Sequence, residues 1–227
     1  MPYREPKSYQ DILSPDALAA LPWSTVGAHL HLPDFGRTGA AARYAAMEGV
    51  NGENENNLLP CVVQLHGSFG WLSHHNKHRD TLVQAGFAVL QIDSFASRGV
   101  EQTAEKQGAV TGPTLTHDAF SGLAMLRYHP LIDKNRVGMA GWSLGGGAAV
   151  YAALDAVNTA LNPQGLSRFV AHLGVYPGNG LRTGNGHTWS PSPVVMLCGT
   201  ADDYTPVFQC DSCAARIKEQ GAILYLK

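Results

Sequence analysis

The sequence lacks the features that mark membrane-spanning, secreted and nucleic-acid-binding proteins. Its 227 residues contain no apolar run of about 18 residues, the length that a membrane-spanning helix needs. The first residues, from Met1 to Pro6, lack the apolar stretch of a secretory signal. Since 16 Lys and Arg face 18 Asp and Glu, the formal net charge is only -2, and no basic field attracts nucleic acid or acidic lipid. We therefore expect a cytoplasmic protein with neither a nucleic-acid nor a membrane partner.

Cysteine is also scarce, with four residues in the chain. Cys61 and Cys198 fall inside predicted buried strands, where a free thiol packs as a small apolar side chain. Cys210 and Cys213 form a C-x-x-C pair, which could serve redox chemistry or supply half of a zinc site. No second pair accompanies them and they fall early in a predicted helix, so we expect neither role and no metal. Reduced thiols are typical of the cytosol.

Strand-like and helix-like segments alternate along most of the chain, without an internal repeat. Hydrophobic residues make up 44% of the sequence, and at this length they predict one core and a single domain over residues 1–227. Residues 1–58 are predicted to form a lead-in, with a helix over 9–20, an edge strand over 26–32 and an exposed loop within 36–57. Further strands are predicted over 60–65, 87–92, 136–140, 168–175, 193–198 and 222–226, and helices over 73–84, 115–128, 144–155 and 207–219. Apolar strands separated by helices predict the α/β class, with a mostly parallel, doubly wound sheet that carries helices on both faces.

A G-x-S-x-G pentapeptide, from Gly141 to Gly145, lies between the strand over 136–140 and the helix over 144–155. A serine on a sharp strand-to-helix turn is the nucleophile elbow of a hydrolase, with its hydroxyl exposed at a helix N-terminus. An ordinary turn with a capping serine would fit the pentapeptide alone. The surroundings favour the catalytic interpretation, because two further loops at strand ends carry the groups that such a serine needs. We therefore predict Ser143 as the nucleophile.

The two supporting loops follow the strands over 60–65 and 193–198. His66-Gly67-Ser68 occupies the place where this architecture puts its second oxyanion donor. We therefore predict that the backbone N–H groups of Ser68 and Leu144 form the oxyanion hole. After the strand over 193–198, the loop from Gly199 to Pro206 carries two acids, Asp202 and Asp203, at the position of the second triad member.

The sequence resembles the dienelactone hydrolase family of the α/β-hydrolase superfamily from about Leu59 to the last residue. The matching pieces are the strand with His66-Gly67, Ile92 to Phe95 with Ser97-Arg98-Gly99, Asp133 to Arg136 leading into Gly141-Trp142-Ser143, Tyr176-Pro177-Gly178, and Gly199 to Pro206. The resemblance implies an α/β-hydrolase fold with its catalytic core over 59–227, and no cofactor. It also favours Asp202 over Asp203 as the acid, because the family pattern places an acid three residues after Gly199 and proline four residues beyond that acid. The founding members use cysteine as the nucleophile, so Ser143 points to small esters or lactones as substrates rather than to dienelactone itself.

Several further side chains are candidates for the substrate pocket. Phe69, Trp71, Trp142 and Tyr176 are predicted to line the acyl pocket, although each also fits the core. Arg98 could hold a substrate carboxylate, but a structural ion pair that fixes the loop over 94–99 fits it better.

The remaining histidines have structural explanations. His66 is expected to hold the oxyanion loop by hydrogen bonds. His74 and His78 share a helix face at a spacing that could chelate a divalent ion. No carboxylate of the H-E-x-x-H type accompanies them, so we expect His74, His75 and His78 to lie on a solvated helix face without metal.

The general base is the element that the sequence does not supply in its expected place. In this fold a histidine follows the acid, but the last histidine here is His187, before Asp202. Either the sequence is truncated before that histidine, or the protein has lost its base or recruits one from elsewhere, with His187 as the first candidate. We expect this chain to be a poor catalyst, with a sheet edge that favours self-association. The alternatives to an esterase are a non-catalytic binding protein with this fold, and a thioesterase or acyl-peptide hydrolase.

Overall fold

The computed structural model describes residues 27–33, 58–162, 165, 168–178, 188–220 and 224–226. The predicted lead-in helix over 9–20, the predicted loop within 36–57 and His187 lie outside these residues.

Strands and helices alternate through the described residues, as predicted. In chain order the strands are β1 (Gly27–His31), β2 (Leu59–Leu65), β3 (Ala88–Asp93), β4 (Ile132–Trp142), β5 (His172–Val175), β6 (Val194–Leu197) and β7 (Leu224–Leu226). The α helices are α1 (Ser73–Gln84), α2 (Gly112–Leu126), α3 (Leu144–Tyr151), α4 (Asp155–Leu161) and α5 (Val207–Glu219). No helix in the described part of the chain is both long and apolar enough to cross a membrane.

All seven strands form one sheet in the order β1-β3-β2-β4-β5-β6-β7. β1 pairs antiparallel with β3 at the edge, and the remaining neighbours are parallel. This confirms the predicted edge strand and the mostly parallel sheet. The chain places β3 on one side of β2 and β4 on the other, so the loops that follow β2 and β4 diverge at a topological switch point. Such a point is where open α/β sheets bind their ligands.

One face of the sheet is the apolar core and is covered by α2 and α3. Val63, its β3 partner Leu90 and its β4 partner Met139 are all buried on this face. His172 of β5 is buried on the same face, where its Nδ1 lies 3.0 Å from the carbonyl oxygen of Ala149 in α3. Burial, its largest cause, lowers the pKa of His172 to about 4, so this histidine is a neutral part of the core.

The opposite face is more polar and is covered in part by α1. Gln64 of β2 and Gln91 of β3 are register partners and both are buried. Gln91 Nε2 donates to Gln64 Oε1 at 3.2 Å, while Gln64 Nε2 has no hydrogen-bond partner within the described ranges. Near β6 this face is more accessible to solvent, and Leu197 is 37% exposed. The prediction of a sheet with helices on both faces is therefore confirmed, with the difference that one face is partly polar.

The predicted helix over 144–155 is wrong at its end, because the chain breaks into α3 and α4 there. The N–H of Asp155 donates to the carbonyl oxygen of Thr188 at 2.9 Å, and the N–H of Ser190 donates to that of Ala153 at 2.7 Å. These bonds to a distant segment take backbone groups that a continuous helix would use. β5 also begins at His172 rather than at residue 168.

Candidate active site

Ser143 occupies a strained turn between β4 and α3. Its φ and ψ angles are 52° and -113°, a conformation that costs a non-glycine residue about 1–3 kcal/mol and persists only where the surroundings enforce it. Its N–H donates to the carbonyl oxygen of Val175 at 3.0 Å, and its own carbonyl oxygen accepts the N–H groups of Gly147 at 2.9 Å and Gly178 at 2.6 Å. These bonds fix the turn against β5 and hold Ser143 at the N-terminus of α3.

The two glycines of the pentapeptide allow this turn to pack closely. A Cβ atom added to Gly145 would lie 2.5 Å from the carbonyl oxygen of His66 and 2.6 Å from that of Leu65. A Cβ atom added to Gly141 would overlap the carbonyl oxygen of Gly145. Any side chain at either position would therefore push α3 away from the strands.

The loop after β2 lies directly against the serine. A Cβ atom added to Gly67 would lie 3.4 Å from the Cβ atom of Ser143. The N–H of Gly70 donates to the carbonyl oxygen of Gly67 at 3.0 Å, and that of Thr103 donates to the carbonyl oxygen of Ser68 at 2.7 Å. The loop is thus held by its own turn and by a second loop. Ser68, the predicted oxyanion donor, directly follows Gly67 in this loop.

His66 anchors this loop from inside. Its Nδ1 lies 2.9 Å from the carbonyl oxygen of Gly67, and its Nε2 accepts the N–H of Ser94 at 3.2 Å. These two bonds require the tautomer that carries its proton on Nδ1. Burial, the largest cause, lowers the pKa of His66, so the ring stays neutral. His66 therefore makes the structural hydrogen bonds that the sequence predicted for it.

The acid loop after β6 is a tight turn around Asp202. Asp202 Oδ1 accepts the N–H groups of Tyr204 at 2.9 Å and Thr205 at 2.8 Å. Asp202 Oδ2 accepts the hydroxyl of Thr205 at 2.6 Å. The hydrogen bond from the Thr205 hydroxyl, ahead of the backbone ones, lowers the pKa of Asp202. Asp203 is exposed and points to no comparable partner among the residues described, so the geometry favours Asp202 as the ordered acid.

Tyr176 follows β5 and lies between α1 and the acid loop. Its φ angle of 36° is also positive. Its N–H donates to the carbonyl oxygen of Leu197 at 2.6 Å, and its hydroxyl lies 3.4 Å from His74 Nε2. Burial first and the charge of Asp202 second raise the pKa of Tyr176, so its hydroxyl stays protonated. The sequence named Tyr176 as a pocket residue but gave no sign of its partner His74.

The prediction that the histidines of α1 form a solvated face is wrong for His75. This side chain is 2% exposed, and its ring packs 4.9 Å from the ring of Trp142 and 5.3 Å from that of Trp71. Burial, followed by the neighbouring His74, lowers the pKa of His75 to about 4. One of these partners, Trp142, comes from a distant strand, so the polar sequence of this helix concealed its buried side.

The predicted pocket aromatics divide into two groups. Phe69 is 62% exposed on the loop after β2, and Tyr176 lies beside the acid loop as described above. Trp142 is 3% exposed and packs under His75 and His78, while Trp71 packs edge-on against His66. The packing of the two tryptophans favours the core role that was their alternative, whereas Phe69 and Tyr176 remain candidates for contact with a ligand.

Arg98 is engaged in an ion pair and is corrected as a pocket residue. Its Nη1 lies 2.8 Å from Asp118 Oδ2 and its Nη2 lies 2.9 Å from Asp118 Oδ1. Nη1 also donates to the carbonyl oxygen of Ser94 at 2.8 Å. The side chain of Asp118 is 0% exposed, so the guanidinium neutralises a buried charge. The loop-fixing ion pair that the sequence favoured over carboxylate binding is therefore what the structure contains.

The four cysteines are free thiols. Cys210 and Cys213 are buried on α5, and burial raises the pKa of both, to about 12 for Cys213. Burial likewise raises the pKa of Cys61 to about 12. Among the described residues, no group of three or more His, Cys, Asp or Glu side chains is arranged to hold a metal ion. Thiols that resist ionisation are poor nucleophiles and metal ligands.

A general base beside Ser143 is not found among the described residues. Within the described residues no histidine side chain forms a hydrogen bond with Ser143 or Asp202. His74 contacts the hydroxyl of Tyr176, a side chain influenced by the charge of Asp202.

The strand order, the strained Ser143 turn and the loop beside it fit an α/β-hydrolase-fold protein. The model of the dienelactone hydrolase family matches residues 47–227. The chain therefore belongs to the dienelactone hydrolase family, which confirms the resemblance.

Solved structures with the same fold include several esterases. Thermogutta terrifontis esterase 2, phosphoramylated by tabun, matches at a TM-score of 0.60 and 16% identity over 89% of this chain and 76% of that one. Est1E from Butyrivibrio proteoclasticus with bound ferulic acid matches at a TM-score of 0.58 and 15% identity over 89% and 84%. A lipase/esterase from Lactobacillus plantarum matches at a TM-score of 0.57 and 13% identity over 78% and 79%. At such identities the likeness shows the fold. A search of curated protein sequences found no match.

Proposed function

We propose that the protein is a serine hydrolase that cleaves small carboxylic esters or lactones through an acyl-enzyme intermediate on Ser143. The observation that carries the proposal is the strained Ser143 turn at the N-terminus of α3. The loop after β2 packs against this turn, since a Cβ atom added to Gly67 would lie 3.4 Å from the Cβ atom of Ser143. Membership of a hydrolase family and the esterases among its structural neighbours support it.

The reaction would proceed in two displacement steps. Ser143 Oγ would attack the ester carbonyl carbon while its proton passes to a base, and the carbonyl oxygen would take up the negative charge. The N–H groups of Ser68 and Leu144, together with the N-terminus of α3, would stabilise that oxyanion. Collapse would expel the alkoxide, which takes the proton from the base and leaves as the alcohol. Water would then attack the acyl group, release the acid and return the proton to Ser143.

Asp202 would orient the base in this scheme. Asp202 Oδ1 already accepts two N–H groups of the acid turn, whereas Oδ2 accepts only the Thr205 hydroxyl and keeps a lone pair for an imidazole N–H. The base itself is a histidine outside the described residues or one brought in by rearrangement. Turnover depends on this base.

A fluorophosphonate probe tests the nucleophile directly. The wild-type chain should be labelled on Ser143, as located by mass spectrometry of the modified peptide, and Ser143→Ala should not be labelled. A panel of p-nitrophenyl esters, lactones and thioesters then ranks the substrate classes. Absence of labelling together with absence of turnover on every member of the panel would overturn the proposal, whereas preference for thioesters would move it to thioesterase activity.

A non-catalytic binding protein is the second candidate, and one observation favours it. The Asp202 carboxylate accepts three hydrogen bonds from its own turn, and within the described ranges no histidine forms a hydrogen bond with it. A binding protein would retain the pocket and bind carboxylic esters without turnover. Isothermal titration with a slowly hydrolysed ester separates the two functions, since binding with an unchanged ester over hours supports the second.

A further inference from the structure

Tyr176, directly after the carboxyl end of β5, has a strained backbone like that of Ser143 after β4. Tyr176 and Ser143 are the two non-glycine residues with positive φ in the described part of the chain. Glycine at this position would adopt the same angle without cost, whereas a tyrosine costs about 1–3 kcal/mol. A bulky aromatic residue in this conformation therefore indicates that the ring itself is needed here.

The backbone on both sides of Tyr176 is tied to the serine. Val175 accepts the N–H of Ser143, and Gly178 donates to the carbonyl oxygen of Ser143 at 2.6 Å. Tyr176 itself is bonded to Leu197 of β6. These bonds fix where the ring leaves the backbone relative to the nucleophile, so its position is set by the same contacts that set the position of Ser143.

The hydroxyl of Tyr176 lies beside the site rather than in the core. It faces His74 in the first turn of α1, directly after the oxyanion loop, and it lies close enough to Asp202 to feel its charge. The hydroxyl therefore lies between His74 and the acid loop, and Tyr176 directly follows Val175, whose carbonyl oxygen accepts the N–H of Ser143. At 3.4 Å the contact with His74 is at the long limit of a hydrogen bond, so a better-placed ligand oxygen can compete for the hydroxyl.

The pair has the chemistry of a directed hydrogen-bond donor. When His74 carries its proton on Nε2, it donates to the phenolic oxygen and leaves the phenolic hydrogen free for another acceptor. The raised pKa of Tyr176 keeps that hydrogen in place at neutral pH. Such a donor recognises an ether, hydroxyl or carbonyl oxygen, and it offers nothing to a methylene group.

We propose that Tyr176 is a specificity-determining residue of the Ser143 site: its hydroxyl, backed by His74, donates a hydrogen bond to an oxygen that the substrate carries in its acyl part. The site thereby favours oxygenated short acyl esters over plain alkyl esters. This inference rests on the proposed function and names its substrate class.

The test compares two esters of nearly equal shape, p-nitrophenyl methoxyacetate and p-nitrophenyl butyrate, which differ by an ether oxygen in place of a methylene. Their intrinsic reactivities differ, so the quantity measured is the ratio of the two kcat/KM values in a variant relative to that ratio in the wild type. Tyr176→Phe keeps the ring and the backbone and should lower the ratio by about threefold to tenfold, the range for one neutral hydrogen bond. Tyr204→Phe is the matched control, because its hydroxyl accepts a bond from Gln107 at 3.1 Å on the exposed side of the acid loop, and its ratio should not change.

His74 provides an independent variant. His74→Ala should lower the same ratio by about twofold to threefold, since a long, half-buried backing bond contributes less than the direct bond to substrate, and His74→Gln should restore part of it. His78→Ala, one helical turn away on α1, should leave the ratio unchanged.

An unchanged ratio in Tyr176→Phe, with Ser143 still labelled by the fluorophosphonate, would overturn this inference and leave the proposed function standing. If Tyr176→Phe does not fold, as judged by its thermal melt, an unchanged ratio in His74→Ala overturns the inference instead. A wild-type chain that is neither labelled nor active would overturn the proposed function and this inference together.

Discussion

The two strand ends that carry the proposed nucleophile and acid are fixed by different means. The Ser143 turn after β4 is held by backbone hydrogen bonds and by close packing of Gly141 and Gly145 against neighbouring strands. The Asp202 turn after β6 is more exposed, and its order comes from three hydrogen bonds that its own carboxylate accepts. The first turn has no room for an added atom, whereas the second is held by groups that can exchange partners.

This difference assigns separate tasks to the two turns. A nucleophile has to stand at one fixed distance from the oxyanion donors, so a rigid packed turn suits it. An acid that orients a histidine has to bond to that histidine as well as to its own loop. A turn held by hydrogen bonds to the carboxylate suits this task, because the carboxylate can shift to accept a bond from the histidine. Substitutions in the two turns should therefore have different effects. Those in the Ser143 turn should lower stability or abolish hydrolysis, and those in the Asp202 turn should change the pH dependence of activity.

The largest effect is expected for Ser143→Ala. In any form of the protein that turns over esters, this change should lower kcat by about 10⁴ to 10⁶, or about 5 to 8 kcal/mol of barrier, because it removes the attacking atom. Steady-state hydrolysis of an activated ester measures it, with an unchanged thermal melt as the control for folding. Undiminished turnover would remove Ser143 from the mechanism.

The next effect separates the two acids. Asp202→Asn should cost about 10⁴ in kcat of an active form, because the amide favours the wrong imidazole tautomer. Asp203→Asn is the matched control and should cost less than about tenfold, since Asp203 is exposed. The opposite ranking of the two variants would move the acid by one residue.

Gly145→Ala tests the packed turn through stability. The added methyl group would meet the carbonyl oxygens of His66 and Leu65 at 2.5 Å and 2.6 Å, and overpacking of this kind lowers the free energy of unfolding by about 1–3 kcal/mol or more. Urea unfolding followed by circular dichroism measures the loss. Gly108→Ala is the control, because an added Cβ there meets nothing within 4 Å. Equal stability of the two variants would contradict the packing argument.

Thr205→Val has the smallest expected effect and probes the acid turn. The Thr205 hydroxyl is the largest cause of the lowered pKa of Asp202, so its removal should move that pKa upward. A lowered pKa in the folded state stabilises the fold at pH values above the unfolded pKa, and this stabilisation is lost as pH falls through the folded pKa. The variant should therefore lose activity and stability at a higher pH on acidification, with at most about a tenfold change in kcat at pH 8.

Thr205→Ser keeps the hydroxyl and serves as its control. A pH profile of kcat/KM and of the melting temperature should place Thr205→Ser with the wild type. If Thr205→Val follows the wild-type acid limb, the hydroxyl does not set the charge state of Asp202.

Most of the fold could be predicted because its signals are local. The predicted helices over 73–84 and 207–219 coincide with α1 and α5, and the edge position of β1 follows from its polar alternation. The break after Tyr151 could not be predicted, because it depends on bonds to Thr188 and Ser190 far along the chain.

The candidate site divides in the same way. The proposed nucleophile and acid are predicted from motifs and their order along the chain. The burial of His75 depends on Trp142 from another strand, and the engagement of Arg98 depends on Asp118. The backbone angle of Tyr176 has no sequence signature, since the residue is a tyrosine where a glycine would be expected.

The buried pair of Gln64 and Gln91 has a consequence for how the sheet assembles. A slip of β3 by one residue against β2 would turn Gln91 to the apolar face, among Val63 and Leu65, where its amide would find no partner and would cost about 1–3 kcal/mol. The correct alignment alone brings the two amides into contact. Two uncharged side chains therefore favour the correct strand register during folding. The cost is that the side-chain NH₂ group of Gln64 finds no acceptor among the described residues.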